Sequence, residues 1–437
     1  MSEWKTALLG DTTEIVLSNI DKKIYPNEIS IKLCNYMDVY SNRYLRRIHE
    51  FNPGSVTRPE YDRFKLNTGD VIITKDSETA DDIAIPAVLI DQIDDLVCGY
   101  HLAILKPKKA ELDGVFLMNL LQMPSVKLQF GAKANGITRY GMTKDGIHSI
   151  RIKYPSSLPE QRKIARILSS VDTVIEKTEA TIAKYKAIQQ GMMRDLFTRG
   201  LDENGHLRPR NEDAPRQYKH TELGWVPNEW KVDKLGNIMK RYGGYLQTGP
   251  FGSQLHAHEY QYEGIPVVMP QNINDGLIRT DQIARIHEQR ANDLVRHRMN
   301  CGDIIIARRG ELSRAAAISK VEEGWVCGTG CFLLRLKQST LNADYTAYVY
   351  RQDFIQRQID ANAVGTTMPS LNNTVMAELF FPYCDEAEQK RIVERLTSID
   401  RNIRTYQTFL SKKLLLKQGL MSDLLTGKKR VKTNTVM

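Results

Sequence analysis

Two stretches of this chain repeat one another, and this repeat limits the possible fold more than any other feature. The first runs from Leu158 to Thr198 and the second from Glu386 to Thr426, at an offset of 228 positions. An internal repeat has to be recognised before a fold class is assigned, because it means that the chain is built from related halves. The identical residues are Glu160/Glu388, Gln161/Gln389, Ile164/Ile392, Leu168/Leu396, Ser170/Ser398, Asp172/Asp400, Ile175/Ile403, Lys184/Lys412, Gln190/Gln418, Gly191/Gly419, Met193/Met421, Asp195/Asp423, Leu196/Leu424 and Thr198/Thr426.

Both copies carry apolar residues at alternating steps of four and three, which predicts a long helix whose apolar stripe faces a partner helix. Ser157 and Asp385 each lie three residues before a glutamate and can cap the first turn. At about 1.5 Å per residue, each helix would be about 55 Å long. The alternative is two amphipathic helices in separate cores. The stripe, called the seam below, comprises Ile164, Leu168, Val171, Ile175, Thr178, Ile182 and Tyr185, and then Ile392, Leu396, Ile399, Ile403, Tyr406 and Leu410.

The repeat extends beyond these helices into the segments that precede them. Short matches recur in the same order, but the halves hardly match between Gly10 and Gly69 and between Gly236 and Gly302, where the second half is seven residues longer. A shared frame with different inserts is expected where one scaffold carries two recognition surfaces. The matches are Glu3–Lys5 with Glu229–Lys231, Leu9–Gly10 with Leu235–Gly236, Gly69–Ile73 with Gly302–Ile306, and Val97–Gly99 with Val326–Gly328.

Each half is therefore predicted to be a mixed α/β (α+β) globular domain followed by a long helix. Apolar or alternating runs predict strands at Val71–Thr74, Ala84–Ile90, His101–Leu105, Ile304–Ala307 and Phe332–Leu336, and helices at Val115–Gln122 and Tyr345–Ile359. The expected boundaries are 1–156 for the first globular domain, 157–198 for its helix, 199–225 for a polar linker, 226–384 for the second globular domain, 385–427 for its helix and 428–437 for a mobile basic tail.

The linker favours an antiparallel pairing of the two helices. In that arrangement the end of the first helix lies near the second domain, and a pseudo-twofold axis relates the halves. A parallel pair would require the linker to run back about 55 Å. The fold expected is two globular domains joined by a long antiparallel coiled coil.

Composition is that of an ordinary globular protein with a basic surplus. The chain has 437 residues, 41% hydrophobic, and a formal net charge of +9, which suits a polyanionic partner. No apolar run approaches the roughly 18 residues of a membrane span, and no signal peptide is evident. The scattered cysteines indicate reduced thiols of a cytoplasmic protein. Cys327 and Cys331 lack a nearby histidine, so no metal site is expected.

Common catalytic signatures are missing from the sequence. There is no GxxxxGK[ST] phosphate loop, no GxGxxG opening a helix, no HExxH and no GxSxG. Glu388-Gln389-Lys390 could be part of a nuclease motif, but its repeat counterpart ends in Arg162, and its position at a helix start favours a cap. We therefore expect no catalysis by this chain alone.

Several motifs resemble those of the specificity subunits of type I restriction–modification systems, and the resemblance covers nearly the whole chain. Leu158–Gln161 and Glu388–Gln389 resemble the start of the family's conserved helices. Gly249–Ser253, followed by Gly264–Val268, is similar to a frequent opening of its target recognition domains. Leu33–Tyr40 is similar to a different opening. Because the first half lacks the Gly-Pro-Phe-Gly-Ser run, the halves are expected to read different sequences.

The resemblance implies a DNA-recognition subunit with several partners. Each domain would bind one half of an asymmetric, bipartite site in double-stranded DNA, while the helices set the spacing and dock two modification subunits. Those subunits would carry S-adenosylmethionine and methylate adenine. Restriction subunits would add ATP- and Mg-dependent translocation and cleavage, so no cofactor is expected on this chain. A two-headed adaptor for protein partners and a stand-alone enzyme remain the alternatives.

DNA readout requires side chains that reach base edges and phosphates. Contacts to base edges need Arg, Lys, Asn, Gln, Ser or Thr, and contacts to phosphates need Arg or Lys, but for any one candidate a solvated surface side chain is the plainer interpretation. Arg308 and Arg309, directly after a predicted strand, are the favoured pair. The full set is Tyr40, Asn42, Arg43, Arg46, Arg47, Lys75, Arg139, Tyr140 and Lys144 in the first domain, and Ser253, Gln254, Gln271, Asn272, Arg308, Arg309 and Arg314 in the second.

Overall fold

The chain forms two compact units, each of which combines a globular domain with part of both repeat helices. A computed structural model describes residues 3–21, 23–252, 254–336, 341–362 and 370–432. Unit 1 comprises Met1–Thr181 with Tyr406–Met437, and unit 2 comprises Ile182–Thr405. Both repeat helices are therefore divided between the units.

The first half of the chain supplies the globular part of unit 1 and the first repeat helix. Its elements are β1 Trp4–Leu8, α1 Leu9–Thr12, β2 Thr13–Leu17, β3 Ile29–Cys34, α2 Tyr36–Ser41, β4 Tyr44–Leu45, β5 Asn52–Val56, α3 Arg58–Phe64, β6 Val71–Thr74, β7 Asp76–Ser77, β8 Pro86–Leu89, β9 Leu96–Cys98, β10 Leu102–Pro107, α4 Gly114–Leu121, α5 Pro124–Lys133, β11 Tyr140–Gly141, α6 Lys144–His148, β12 Arg151–Pro155 and α7 Leu158–Thr198.

The main sheet of unit 1 has the order β2-β10-β6-β8-β4, and a second sheet has the order β5-β3-β9. Strand β6 is buried along its length because both faces of the main sheet are covered. Its side chains alternate between two cores: Val71 and Ile73 join one cluster, while Ile72 joins the other. The first cluster also contains Ile164 and Leu168 of α7, so the domain packs directly on its helix.

The second half of the chain supplies the globular part of unit 2 and the second repeat helix. Its elements are β13 Tyr218–Thr221, β14 Gly224–Pro227, β15 Lys231–Lys234, α8 Leu235–Arg241, β16 Tyr245–Thr248, β17 Ile265–Val268, β18 Ile273–Asn274, β19 Leu277–Ile278, β20 Arg285–Ile286, α9 Glu288–Asp293, β21 Ile304–Ala307, β22 Ala315–Ala317, β23 Val326–Cys327, β24 Cys331–Arg335, α10 Ala343–Tyr350, α11 Asp353–Asn362, α12 Asn373–Glu378, β25 Phe380–Tyr383 and α13 Glu386–Leu424.

Unit 2 repeats the layered arrangement. Its main sheet has the order β16-β24-β21-β22, and a second sheet has the order β20-β17-β23. In β21, Ile304 and Ile306 face the core that contains Ile392 and Leu396 of α13, while Ile305 faces the other core. The mixed helix and strand content predicted for both halves is confirmed.

The repeat helices pair antiparallel within unit 1. Ile164 and Leu168, near the start of α7, share a core with Leu424 at the end of α13. Farther along α7, Asp172 Oδ1 lies 2.6 Å from Nζ of Lys417, which precedes Leu424. Residues farther along α7 therefore contact residues nearer the start of α13.

The same direction holds within unit 2. Leu196 shares a core with Ile392 and Leu396, and Gln189 donates a hydrogen bond from its amide to Asp400. The antiparallel coiled coil expected from the linker is thus confirmed in each unit. Burial of one Ile or Leu side chain stabilises the fold by about 1.5–3 kcal/mol.

The seam and the caps follow the sequence prediction. Glu160 N donates to Ser157 Oγ at 3.4 Å, and Glu388 N donates to Asp385 Oδ1 at 2.9 Å. Among the seam positions, Val171 and Leu410 are half-buried. The buried ones are Ile164, Leu168, Ile175, Thr178, Ile182, Ile392, Leu396, Ile399 and Ile403.

One predicted helix, at Tyr345–Ile359, is wrong as a single element. The structure divides it into α10 and α11, which are separated at Arg351 and Gln352. Gln352 is buried, and its side-chain amide donates back to Tyr348 O, which satisfies a carbonyl at the end of α10. The apolar pattern continued across the break because α10 and α11 both pack on the same core.

The segments after each repeat helix are packed on the protein. In 199–225, β13 pairs with β14, and Arg208 forms an ion pair with Glu388 at 2.7 Å. In the tail, Arg430 forms an ion pair with Glu160 at 2.7 Å. Residues 428–432 of the tail therefore contact the rest of unit 1 through Arg430, while 433–437 lie outside the described residues. Within the described ranges, no helix combines the length and apolarity needed to cross a membrane.

Candidate nucleic-acid interface

Three strand ends meet at one corner of the globular part of unit 1. Lys75 follows β6, Tyr100 follows β9 by two residues, and Tyr36 follows β3 by two. Lys75 N donates to His101 O at 2.9 Å, which joins the first two segments. Gly99 N donates to Cys34 O at 2.8 Å, which joins the second to the third. This set of segments is called corner 1.

Lys75 is held in place at corner 1. Its ammonium donates to Ser18 O at 2.9 Å and lies 4.7 Å from the centre of the Tyr100 ring. Tyr100 is 49% exposed, so about half of its surface is accessible beside a fixed cation. Asp76, the next residue, contacts His101 Nδ1 at 2.5 Å.

Helix α2 and strand β11 complete corner 1. The rings of Tyr36 and Tyr40 stack with their centres 5.6 Å apart, and Tyr40 OH donates to Asp82 at 3.1 Å. Burial raises the pKa of Tyr36, as does nearby Asp82, while Arg139 acts in the opposite direction. Tyr140 pairs with Ser77 through β7 and β11. Four candidates, Tyr40, Lys75, Arg139 and Tyr140, therefore lie in this region.

Unit 2 brings together the corresponding strand ends, called corner 2. Arg308 follows β21, Thr329 follows β23 by two residues, and Pro270 follows β17 by two. Arg308 N donates to Gly330 O at 2.7 Å, and Gly328 N donates to Val268 O at 2.9 Å. The Gly-Pro-Phe-Gly segment joins them, because Thr329 Oγ1 donates to Pro250 O at 2.8 Å.

Arg308 is fixed from three sides. Its Nε donates to Leu371 O at 3.0 Å, and its guanidinium lies 5.8 Å from the Phe251 ring centre and 5.7 Å from that of Phe332. Arg309 is exposed beside it, and Phe251 is 51% exposed. Arg314 approaches from the next turn, where Nη1 donates to Pro270 O at 3.2 Å and Nη2 pairs with Glu311 at 2.6 Å. Gln271 is exposed at the same corner.

The two corners occupy equivalent positions in the repeat. Lys75 and Arg308 each stand directly after the matched Gly-Asp strand, and each lies against an aromatic ring. The glycine after the matched Val-Cys is required in both, since a Cβ would lie 2.8 Å from Cys34 O at Gly99 and 2.7 Å from Val268 O at Gly328. A fixed cation can contact a phosphate or a base edge. An exposed aromatic ring beside it can stack on an unpaired base.

Other candidates lie away from the corners or have structural contacts. Arg43 and Arg46 bind Asp172 and Glu176 of α7 at 2.7 and 2.9 Å. In the first domain, Arg47 donates to Asp91 and Gln92, Asn42 donates to Asp38 O, and Lys144 is exposed at the first position of α6. In the second domain, Gln254 accepts from Phe251 N, and the buried Asn272 accepts from Met269 N. Ser253 lies outside the described residues.

Sequence reasoning missed the aromatic members of the corners. Tyr36, Tyr100 and Phe251 are not among the predicted DNA contacts, although Tyr100 directly follows a matched segment of the repeat and the other two lie within the motifs Leu33–Tyr40 and Gly249–Ser253. The signal was available: extending the Gly-Asp match by two residues aligns Lys75 with Arg308, and extending the Val-Cys-Gly match by one reaches Tyr100.

The chain is similar to known proteins along nearly its entire length. The sequence model of the family described as "Type I restriction modification DNA specificity domain" matches residues 1–186 and 227–412. The type I restriction enzyme MjaVIII specificity subunit of Methanocaldococcus jannaschii is 23% identical over 434 residues, which cover 98% of this chain and 94% of that protein. The putative MjaX specificity subunit of the same organism is 23% identical over 439 residues, covering 99% and 95%.

A solved structure shows the same fold. The S subunit of the type I restriction–modification system from M. genitalium superposes with a TM-score of 0.61 at 17% identity, covering 97% of this chain and 96% of that one. At this identity the likeness supports the fold assignment.

Proposed function

The chain belongs to the type I restriction–modification DNA specificity family, and we propose that it recognises a bipartite site in double-stranded DNA, with corner 1 reading one half-site and corner 2 the other. The observation that carries this proposal is the equivalence of Lys75 and Arg308. Both are fixed cations beside exposed aromatic rings, at the same position of two different inserts.

The two corners differ enough to read different bases. Corner 1 presents a lysine with several tyrosines, whereas corner 2 presents two adjacent arginines, a phenylalanine and Gln271. An arginine can form two parallel hydrogen bonds to guanine, whereas a glutamine favours adenine. Basic side chains around them would contact phosphates and hold the duplex in position. An asymmetric target site follows from this difference.

The helices would serve assembly. Because the repeat presents related surfaces on α7 and α13, one modification subunit is expected on each copy. These subunits would hold S-adenosylmethionine and methylate adenine, and restriction subunits would use ATP and Mg. This chain would supply recognition and contribute no catalytic group.

The proposal is tested with variants of the equivalent cations in the complex reconstituted with modification subunits. Lys75→Ala should weaken selection at the first half-site only, and Arg308→Ala combined with Arg309→Ala at the second only. A lost base contact costs about 1–3 kcal/mol and relaxes one position, whereas a lost phosphate contact lowers the salt slope by about one. The readout is methylation of a randomised DNA library and binding at several salt concentrations.

Lys153→Ala and Arg357→Ala provide matched controls, because both residues are exposed cations on β12 and α11. They should change neither half-site. If the corner variants retain wild-type affinity and sequence preference, the corners do not read DNA. If the wild-type complex binds DNA without sequence preference and without weakening by salt, an adaptor for protein partners is the better description.

A further inference from the structure

An aspartate at the same position of each repeat helix connects three elements. Asp172 of α7 and Asp400 of α13 are repeat counterparts. Asp172 accepts a hydrogen bond from Tyr44 of its globular domain and pairs with Lys417 of α13. Asp400 accepts hydrogen bonds from Tyr348 of its globular domain and from Gln189 of α7, and positions 189 and 417 are also repeat counterparts. The tyrosines come from different elements, β4 in unit 1 and α10 in unit 2. The same junction is therefore built twice with different domain parts.

The junction in unit 1 is ionic. Asp172 is 1% exposed, accepts from Arg43 Nη1 at 2.7 Å and from Tyr44 OH at 2.8 Å, and forms an ion pair with Lys417 at 2.6 Å. One turn farther, Arg46 binds Glu176 at 2.9 Å. These arginines were candidates for DNA contact, but the structure uses them to hold the domain on α7.

The junction in unit 2 uses neutral donors. Tyr348 OH donates to Asp400 Oδ2 at 2.5 Å, and the amide of Gln189 donates to Oδ1. Tyr348 is 6% exposed, and burial together with Asp400 raises its pKa, so the hydroxyl remains protonated and able to donate.

A second repeated contact lies nearer the start of each helix. Gln161 Oε1 accepts from Asp113 N at 2.9 Å, and its counterpart Gln389 accepts from Asn342 N at 2.8 Å. The glutamine and the aspartate are eleven residues apart in both helices, as the numbering shows, or about 16 Å along the axis. Apolar packing between them is non-directional, whereas hydrogen bonds have preferred angles.

Resting on the proposed function, we propose that Asp172 and Asp400 are positioning residues that set the tilt of each recognition domain on the helix pair, and thereby the spacer between half-sites. The glutamine holds the domain at one point, and the aspartate holds it at a second, which leaves little freedom to pivot. Neither aspartate contacts DNA. Loss of a junction should therefore broaden the accepted spacer lengths while leaving both half-site sequences unchanged.

The test removes one hydroxyl. Tyr348→Phe deletes the bond between domain and helix but keeps Asp400 paired with Gln189. Tyr350→Phe is the matched control: it lies in the same helix and is buried, but its hydroxyl donates to Leu312 O inside the domain at 3.0 Å. Both variants are expected to lose stability, which thermal unfolding of each purified chain measures, and only Tyr348→Phe should affect spacer choice.

The assay uses the complex with modification subunits and DNA in which the half-sites are fixed and the spacer length varies. For Tyr348→Phe, the ratio of methylation at the preferred spacer to that at spacers one base pair shorter or longer should fall by about tenfold, the lower end of the range for a hydrogen bond to a charged group. Tyr350→Phe should keep the wild-type ratio.

Tyr44→Phe, with Tyr61→Phe as control, repeats the test independently in unit 1, because Tyr61 OH bonds to Asp95 within the domain. An unchanged ratio in both Tyr348→Phe and Tyr44→Phe would overturn the proposal, as would altered half-site sequences. A wild-type complex without any spacer preference would instead contradict the proposed function itself.

Discussion

The ion pair between Arg208 and Glu388 allows a quantitative prediction of stability. The Glu388 side chain is 1% exposed and that of Arg208 13% exposed. The guanidinium donates to both carboxylate oxygens, at 2.7 and 3.1 Å. Leu201 N and Trp230 Nε1 donate to Glu388 Oε1 at 2.7 and 3.1 Å. The pair therefore fastens the segment after α7 to the start of α13 inside unit 2.

Arg208→Met keeps most of the side-chain length but leaves Glu388 buried with only neutral donors. Removing one partner of a buried pair costs about 3–5 kcal/mol, because the remaining charge is desolvated without compensation. In a unit of roughly 200 residues, each kcal/mol shifts the melting temperature by about 2–4 °C. The melting temperature of unit 2 should therefore fall by about 6–20 °C.

Lys390→Met is the control, because its partner Glu386 is 61% exposed and Lys390 itself is 59% exposed. That change should cost no more than about 0.5 kcal/mol. Urea and thermal unfolding followed by tryptophan fluorescence provide the measurement, since Trp230 contacts Glu388. A loss below about 1 kcal/mol for Arg208→Met would refute the claim that this pair holds the linker in place.

Arg430, Lys417 and the pair of repeat helices allow three further predictions. Arg430→Met should destabilise unit 1 by less than Arg208→Met destabilises unit 2, because Arg430 is 23% exposed; equal or larger losses would contradict this. Burial, reinforced by Arg43, lowers the pKa of Lys417 below its usual 10.5. Between the pKa of the folded state and 10.5, the unfolded state therefore binds more protons than the folded state. The free energy of unfolding of the wild type relative to Lys417→Gln should therefore rise as the pH increases toward 10.5. Urea unfolding of both proteins at about pH 7 and about pH 9.5 measures this difference, and the same difference at both pH values would contradict the prediction. One chain should bind two modification subunits, and native mass spectrometry that finds only one at saturation would argue against equivalent docking surfaces.

Much of the fold could be predicted because the repeat makes local signals agree with each other. The strand bounds Val71–Thr74 and Ile304–Ala307 match the structure, since three β-branched apolar residues after a Gly-Asp turn favour a short buried strand. The seam was readable for the same reason, because its period survives in two copies.

The candidate site was less predictable, because its geometry depends on long-range contacts. Arg43 looked like a DNA contact, yet its partner Asp172 lies 129 positions away along the chain. Nothing local distinguishes an arginine that binds a carboxylate from one that binds a phosphate. Arg430 has the same property, since it meets Glu160 across 270 positions.

In the proposed function, the repeat helices determine the distance between the two reading surfaces. The direct test inserts one heptad after Ile175 and one after Ile403, which are repeat counterparts. The seam continues across a seven-residue insertion. The pairs of Asp172 with Lys417 and of Asp400 with Gln189 remain on their own sides of the insertions.

The measurement is the preferred spacer length when the complex with modification subunits methylates a library of randomised spacers. Seven residues lengthen a helix by about 10 Å, or about three base pairs of duplex at about 3.4 Å each. Both half-site sequences should be retained, and the preferred spacer should change or methylation at the parental spacer should drop sharply. A lengthened protein that still prefers the parental spacer with undiminished activity would show that the helices do not set the spacing.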